Sequence, residues 1–297
     1  MSRKVQSFAL VLAFAFACKS SSGGGDGMDT VVTPSTYVAT GGEGDLIVWT
    51  VADGGGDVTA VVTVVDQMGN PVDGGAFTVR GACSSRNATF DHRTCTISSV
   101  SPTPPGGKPT AGDQFYTLEL PGVAFIAHPA GADGGGRRHD LHVGLIRGTC
   151  GDLSGTYNMV HVGPPGFKSD VLGQFALWSD SSGVVSGVTH WDYGFVVNGQ
   201  YSNNSGDDPI KAVLMSADNV TLVDGGQSCS NGVSVITIPA GPSGNQQIRV
   251  NRTQQGALLV DLQRGSGGVV GINSAAAATL NDIKNRTLFV LSFDGNE

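Results

Sequence analysis

From Leu46 onward, short runs of alternating or continuous apolar residues are separated by glycine-rich turns. Leu46-Ile47-Val48-Trp49 is the first such run. In the next, Val58, Ala60, Val62 and Val64 alternate with Thr59, Val61, Thr63 and Val65. Both faces of that run are nearly apolar, the pattern of a strand covered on two sides. It enters Asp66-Gln67-Met68-Gly69-Asn70-Pro71, where Gly69 and Asn70 accept positive φ and Pro71 cannot donate to a ladder, so the strand turns there. Further on, Tyr116, Leu118 and Leu120 alternate with Thr117 and Glu119, Val123 to His128 follows Gly122, and Leu141, Val143 and Leu145 share a face opposite Asp140 and His142. The stretch from Cys83 to Cys95 and the proline-rich run from Pro102 to Pro109 read as loop insertions.

A second set of strands follows Cys150, at 157–162, 171–178, 184–197, 211–223, 233–238, 247–251, 258–263, 269–272 and 287–293. In the third of these, Trp191, Tyr193, Phe195 and Val197 take one face while Asp192 and Gly194 take the other, a half-buried alternation. A long series of strands joined by short Gly, Asn and Asp turns suits a meander that closes into a barrel and so hides its edges. One helix is predicted, over 275–283. The run from Asp152 to Val160 faintly echoes the run from Asp282 to Val290. If the echo is structural, the last strand either begins a further repeat or lies beside the first and closes the barrel.

Composition supports an all-β chain of two domains. Among 297 residues there are 45 Gly and 13 Pro. Only 14% are charged, against about 25% in an average protein. Such a chain does not build long helices. The formal net charge of −8 argues against nucleic acid as a partner, because phosphates are held by clustered Lys and Arg. The densest basic run is Arg137-Arg138-His139.

The N-terminus changes the picture most. Arg3 and Lys4 precede an apolar run from Phe8 to Ala17 that falls short of the roughly 20 residues a membrane-crossing helix needs. This is the form of a secretory signal. Its end, Ala15-Phe16-Ala17-Cys18, followed by Lys19, three serines and three glycines, resembles the signal of a bacterial lipoprotein. The resemblance implies cleavage after residue 17, a diacylglycerol-bearing, palmitate-carrying Cys18, and anchorage to a membrane. In a Gram-negative cell, Lys19 rather than Asp after the cysteine implies the outer membrane. Residues 18–40 then act as a lipidated, flexible Ser/Gly tether.

Five cysteines are an odd number, and lipidation of Cys18 leaves Cys83, Cys95, Cys150 and Cys229 to pair. Three connectivities are open. Pairing inside each proposed domain, 41–148 and 149–297, gives Cys83–Cys95 and Cys150–Cys229.

The strand, D-x-x-G-N-P-V turn and following strand from Val58 to Val79 resemble a bacterial Ig-like domain or the related carboxypeptidase regulatory-like domain. That likeness implies an Ig-like β-sandwich for 41–148. Gly155-Thr156-Tyr157 resembles the G-x-W opening of lipocalin-like barrels, which implies a calycin-like β-barrel for 149–297.

Motifs for catalysis are missing. There is no G-x-S-x-G elbow. His139 and His142, three apart on a strand, point to opposite faces and cannot share a metal. The Asn203 to Asp208 run carries oxygen donors without the ligand spacing of a calcium loop. Glu43, Glu119 and Glu297 are the glutamates beyond the tether, and none has an informative neighbourhood. Trp178, Trp191, Tyr193 and Phe195 make the best candidate binding surface. The expected function is a structural or adhesive role at the cell envelope, with no catalysis, cofactor or metal, and with a protein or glycan partner. The competing reading is a calycin-type carrier holding a small apolar ligand in the C-terminal domain.

Overall fold

The computed structural model describes residues 8–10, 34–41, 45–52, 57–66, 70–84, 92–104, 107–130, 142–162, 170–179, 185–197, 200–202, 220–221, 227–239, 245–261, 268–273 and 291–293. Among them every regular element is a strand. A short strand, β1 (Phe8–Leu10), pairs antiparallel with β20 (Leu291–Phe293), apart from the two main sheets.

The first main sheet is a closed barrel of eight antiparallel strands: β2 (Ser35–Thr40), β3 (Leu46–Val51), β4 (Asp57–Val65), β5 (Pro71–Cys83), β6 (His92–Ser101), β7 (Gln114–Leu120), β8 (Ala124–Ala130) and β9 (His142–Ile146). Each strand pairs with its neighbours in sequence, and β2 closes the ring by pairing with β9, Tyr37 opposite Ile146 and Thr40 opposite Val143. This meander occupies the segment for which an Ig-like sandwich was expected. Among the described residues every strand of this ring pairs within it, whereas a sandwich divides its strands between two sheets.

Two boundaries shift with it. Ser35–Thr40, assigned above to the tether, is the closing barrel strand β2. The segment between Cys83 and Cys95, read as an insertion, contains the start of β6, and the two cysteines face each other across the β5–β6 ladder.

The second sheet has ten strands: β10 (Gly155–Val162), β11 (Asp170–Ser179), β12 (Val185–Val197), β13 (Gln200–Ser202), β14 (Val220–Thr221), β15 (Gln227–Ser230), β16 (Val233–Pro239), β17 (Asn245–Arg252), β18 (Ala257–Asp261) and β19 (Gly268–Asn273). It is also a meander in which an early strand meets a late one, for β10 pairs with β19, Tyr157 opposite Asn273. The strand beside β10 is therefore β19, not the 287–293 run that the sequence echo had offered. Its ladder is not closed among the described residues, although β14 pairs with β12 and approaches β16. The predicted helix at 275–283 lies outside the described residues.

Burial shows how the sheets meet. In β2, Tyr37 and Ala39 face the barrel core while Val38 and Thr40 are buried on its outer side. In β18, all five residues of Ala-Leu-Leu-Val-Asp are buried. These strands lie back to back, and Val38, Val143 and Leu145 of the barrel wall pack with Leu259, Ala257 and Val270 of the second sheet. A Cβ on Gly268 would run into the Thr40 side chain, so glycine is what lets the strands approach here. The two-sided burial predicted for β4 thus belongs to β2 and β18, while Val61 of β4 is 43% exposed.

Candidate functional site

The barrel interior is built from alternate residues of its strands. Ile47, Trp49 and Val51 come from β3, Val58, Ala60 and Val62 from β4, Phe77 and Val79 from β5, and Phe115 from β7. Trp49 sits among Phe115 at 5.6 Å, Phe125 at 5.1 Å and His142 at 6.0 Å between ring centroids. Tyr37 stacks on Phe125 at 5.5 Å. An eight-stranded barrel has room either for such side chains or for one small ligand, and side chains take up this interior.

Strand β7 enters the core in the opposite phase from its apolar pattern. Phe115, Thr117 and Glu119 point inward and are buried, whereas Tyr116 is 42% and Leu120 is 37% exposed. A shift of one residue exchanges the faces of a strand, and here polar partners inside the barrel hold the shifted phase. Arg93 of β6 is 0% exposed and its Nη2 lies 3.2 Å from Glu119 Oε2. The Tyr37 hydroxyl donates to Glu119 Oε1 at 2.6 Å and accepts from the Gly122 amide at 3.1 Å. Burial, reinforced by the Glu119 carboxylate, raises the Tyr37 hydroxyl well above its ordinary range. The Leu120–Val123 turn covers this end of the barrel, with Val123 N donating to Leu120 O and Gly122 at φ 71°. Pro121 followed by glycine is the sequence such a turn favours. Glu119 and Arg93, buried as they are, hold the fold from inside and meet no solute.

A second polar cluster joins the two sheets. Arg249 and Asp261 face each other across the β17–β18 ladder, with Nη1 and Oδ2 3.4 Å apart and both side chains buried. Thr40 Oγ1 donates to Asp261 Oδ1 at 2.5 Å, reaching from the barrel to the second sheet. Burial raises the Asp261 carboxyl to about 8 and Asp45 adds to the rise, while Thr40 and Arg249 act against it. Asn251 binds the chain that leaves the barrel, accepting from Gly148 N at 2.8 Å and donating to Ile146 O at 3.1 Å.

Beyond that connection lies an open cleft of about 270 Å³, lined by Thr149, Gly151, Asp152, Arg252, Thr253 and Gln254. Arg252 Nη1 donates to the Asp152 carbonyl oxygen. The Asp152 carboxylate accepts from Ser154 N at 2.8 Å and from Ser154 Oγ at 2.6 Å.

Of the residues singled out in the sequence, the four later cysteines form Cys83–Cys95 and Cys150–Cys229, separated by 12 and 79 residues. Cys18 lies outside the described residues. Trp178 falls on β11, and Trp191, Tyr193 and Phe195 fall on β12; their side chains lie outside the described residues. The β11–β12 register shifts between Leu172 and Gly173, where the partner changes from Gly194 to Asp192 and passes over Tyr193. Counting in twos along β12 therefore does not carry a face across that point. No local pattern marks the Arg93–Glu119 and Arg249–Asp261 pairs, because each unites strands whose spacing only the ladder sets. Among the described residues no group of three or more His, Cys, Asp or Glu could hold a metal ion.

The chain matches no protein-family model, no curated protein and no solved structure.

Proposed function

We propose that the chain is an exported lipoprotein, anchored through acylated Cys18 to the outer membrane, whose β domains serve a structural or adhesive binding role without catalysis. One observation carries this reading: Tyr37, Trp49, Phe115, Phe125 and the Arg93–Glu119 pair fill the barrel interior, which leaves the outer wall and loops for contact. Two disulfides suit export to an oxidising compartment. The Ser/Gly-rich stretch between Cys18 and β2 provides reach from a membrane.

The test is metabolic labelling with palmitate in the native host, followed by a cell-adhesion assay. Label on the wild type, loss of label and of membrane association in Cys18→Ser, and weaker attachment of cells lacking the chain are the expected results. An unlabelled chain released to the medium would overturn the anchor, and unchanged attachment would overturn the adhesive role.

A carrier role for the second sheet is favoured by one observation, the approach of β14 to β16 after β10 has joined β19. That course bends the sheet toward the hollow form a small apolar ligand would need. Native mass spectrometry of the extracted protein tests it: a mass excess lost on denaturation supports the carrier, and its absence leaves the adhesive reading.

A further inference from the structure

The cleft at the junction of the two sheets is held in shape before any ligand arrives. One wall is the connector Thr149-Cys150-Gly151-Asp152, and Cys150 is tied to Cys229 on β15. Asn251 grips the same connector through Gly148 N and Ile146 O, and Arg252 grips it through the Asp152 carbonyl. A Cβ on Gly148 would run into the Arg252 carbonyl, so the connector lies directly on the end of β17. The other wall is the start of the β17–β18 turn, fixed by Thr253 N donating to Ala257 O at 2.8 Å and by Ala257 N donating to Thr253 Oγ1 at 3.1 Å. A wall fixed in advance spares a ligand the cost of ordering it.

The lining has no aliphatic or aromatic side chain and is more polar than apolar, so an apolar ligand gains little there. At about 270 Å³ the cleft is smaller than the roughly 300–1,000 Å³ of drug-sized sites. Arg252 and Asp152 both line it and offset each other in charge. Gln254, exposed on the turn, offers a donor and an acceptor on one planar group, and Thr149 offers a hydroxyl. A small, uncharged ligand rich in hydroxyl groups matches this set, since each hydroxyl both donates and accepts.

We propose that the cleft binds a neutral sugar residue, the terminal unit of a glycan. The proposal rests on the adhesive reading above and names its partner class.

The experiment uses the mature full-length chain, disulfides intact, on immobilised glycans ending in neutral hexoses and on sulfated and sialylated counterparts. Affinities for methyl hexosides in solution are then measured by NMR titration. Neutral-ended glycans are retained, and both Gln254→Ala and Arg252→Met weaken binding tenfold or more. Gln254 lies at an exposed turn, so its variant keeps the wild-type thermal midpoint. Asp152→Asn leaves the neutral preference in place.

Undiminished glycan binding in both variants would place the site elsewhere. Retention of acidic glycans alone, strengthened tenfold by Asp152→Asn, would make the cleft an anion site and overturn the proposal. A chain that binds no glycan but still attaches to cells overturns the cleft proposal and spares the adhesive reading, whereas failure to attach at all removes both.

Discussion

Glu119 and Arg93 show what a single residue can do when it is placed by its partners. On sequence alone Glu119 sits in an alternation that would put it in water beside Thr117. In the barrel it is 4% exposed and tied to Arg93 and Tyr37. Removing one member of a buried pair leaves the other charge uncompensated, at a cost of about 3–5 kcal/mol. Glu119→Ala is therefore expected to lower stability to urea by that amount. Tyr37→Phe, which deletes the hydroxyl's bonds to Glu119 and to the Gly122 amide, is expected to cost about 1.5–3 kcal/mol. Equal small losses in the two would mean that the pair is solvated. At the centre of the core, Trp49→Ala is expected to cost about 3–5 kcal/mol, read from the same denaturation curves.

At the scale of elements, the two disulfides differ in what they constrain. Cys83–Cys95 closes 12 residues between strands already paired from Thr78 to Cys83, whereas Cys150–Cys229 closes 79 and ties the connector to an outer strand. Loop-closure entropy alone separates them by roughly 1.7 kcal/mol, and the existing β5–β6 ladder widens the gap. Replacing Cys150 and Cys229 by serine is expected to lower the thermal midpoint more than replacing Cys83 and Cys95. The reverse order would mean that the connector is held without its disulfide.

The contact between β2 and β18 carries a pH dependence. The folded-state pKa of Asp261 stands at about 8, above its ordinary 3.8, so the folded chain keeps a proton that the unfolded chain has lost. The stability linked to this group is full below pH about 4 and is lost as the pH rises toward 8. The thermal midpoint is expected to fall between pH 5 and pH 9, and Asp261→Asn, which stays neutral, is expected to flatten that slope. A slope identical in both chains would assign it to other groups.

For the molecule as a whole, two successive meanders share one device, the pairing of an early strand with a late one: β2 with β9, and β10 with β19. They are joined through a buried apolar layer and the Thr40–Asp261 hydrogen bond. Gly268→Val, which pushes against Thr40, is expected to destabilise the contact by about 1–3 kcal/mol. Separate melting of two units in calorimetry of that variant would mark the loss of coupling. A barrel core already occupied by aromatic rings leaves the outer faces for the proposed binding role, and the junction cleft is one outside feature of the described residues with fixed walls.

Strand content, the turns at Pro71 and Gly122, and much of the second sheet's strand order were legible in the chain, because period-two patterning and turn chemistry act over a few residues. The paired cysteines were legible in number, and their partners followed once each pair fell within one meander. Tertiary structure alone decided that the first meander closes on itself, that Ser35–Thr40 is a wall strand rather than tether, and that β7 turns Glu119 inward. The reason is common to all three. Closure, register and the phase of a strand depend on partners far along the chain, Tyr37 with Glu119 across 82 residues and Thr40 with Asp261 across 221, and no local pattern encodes those distances.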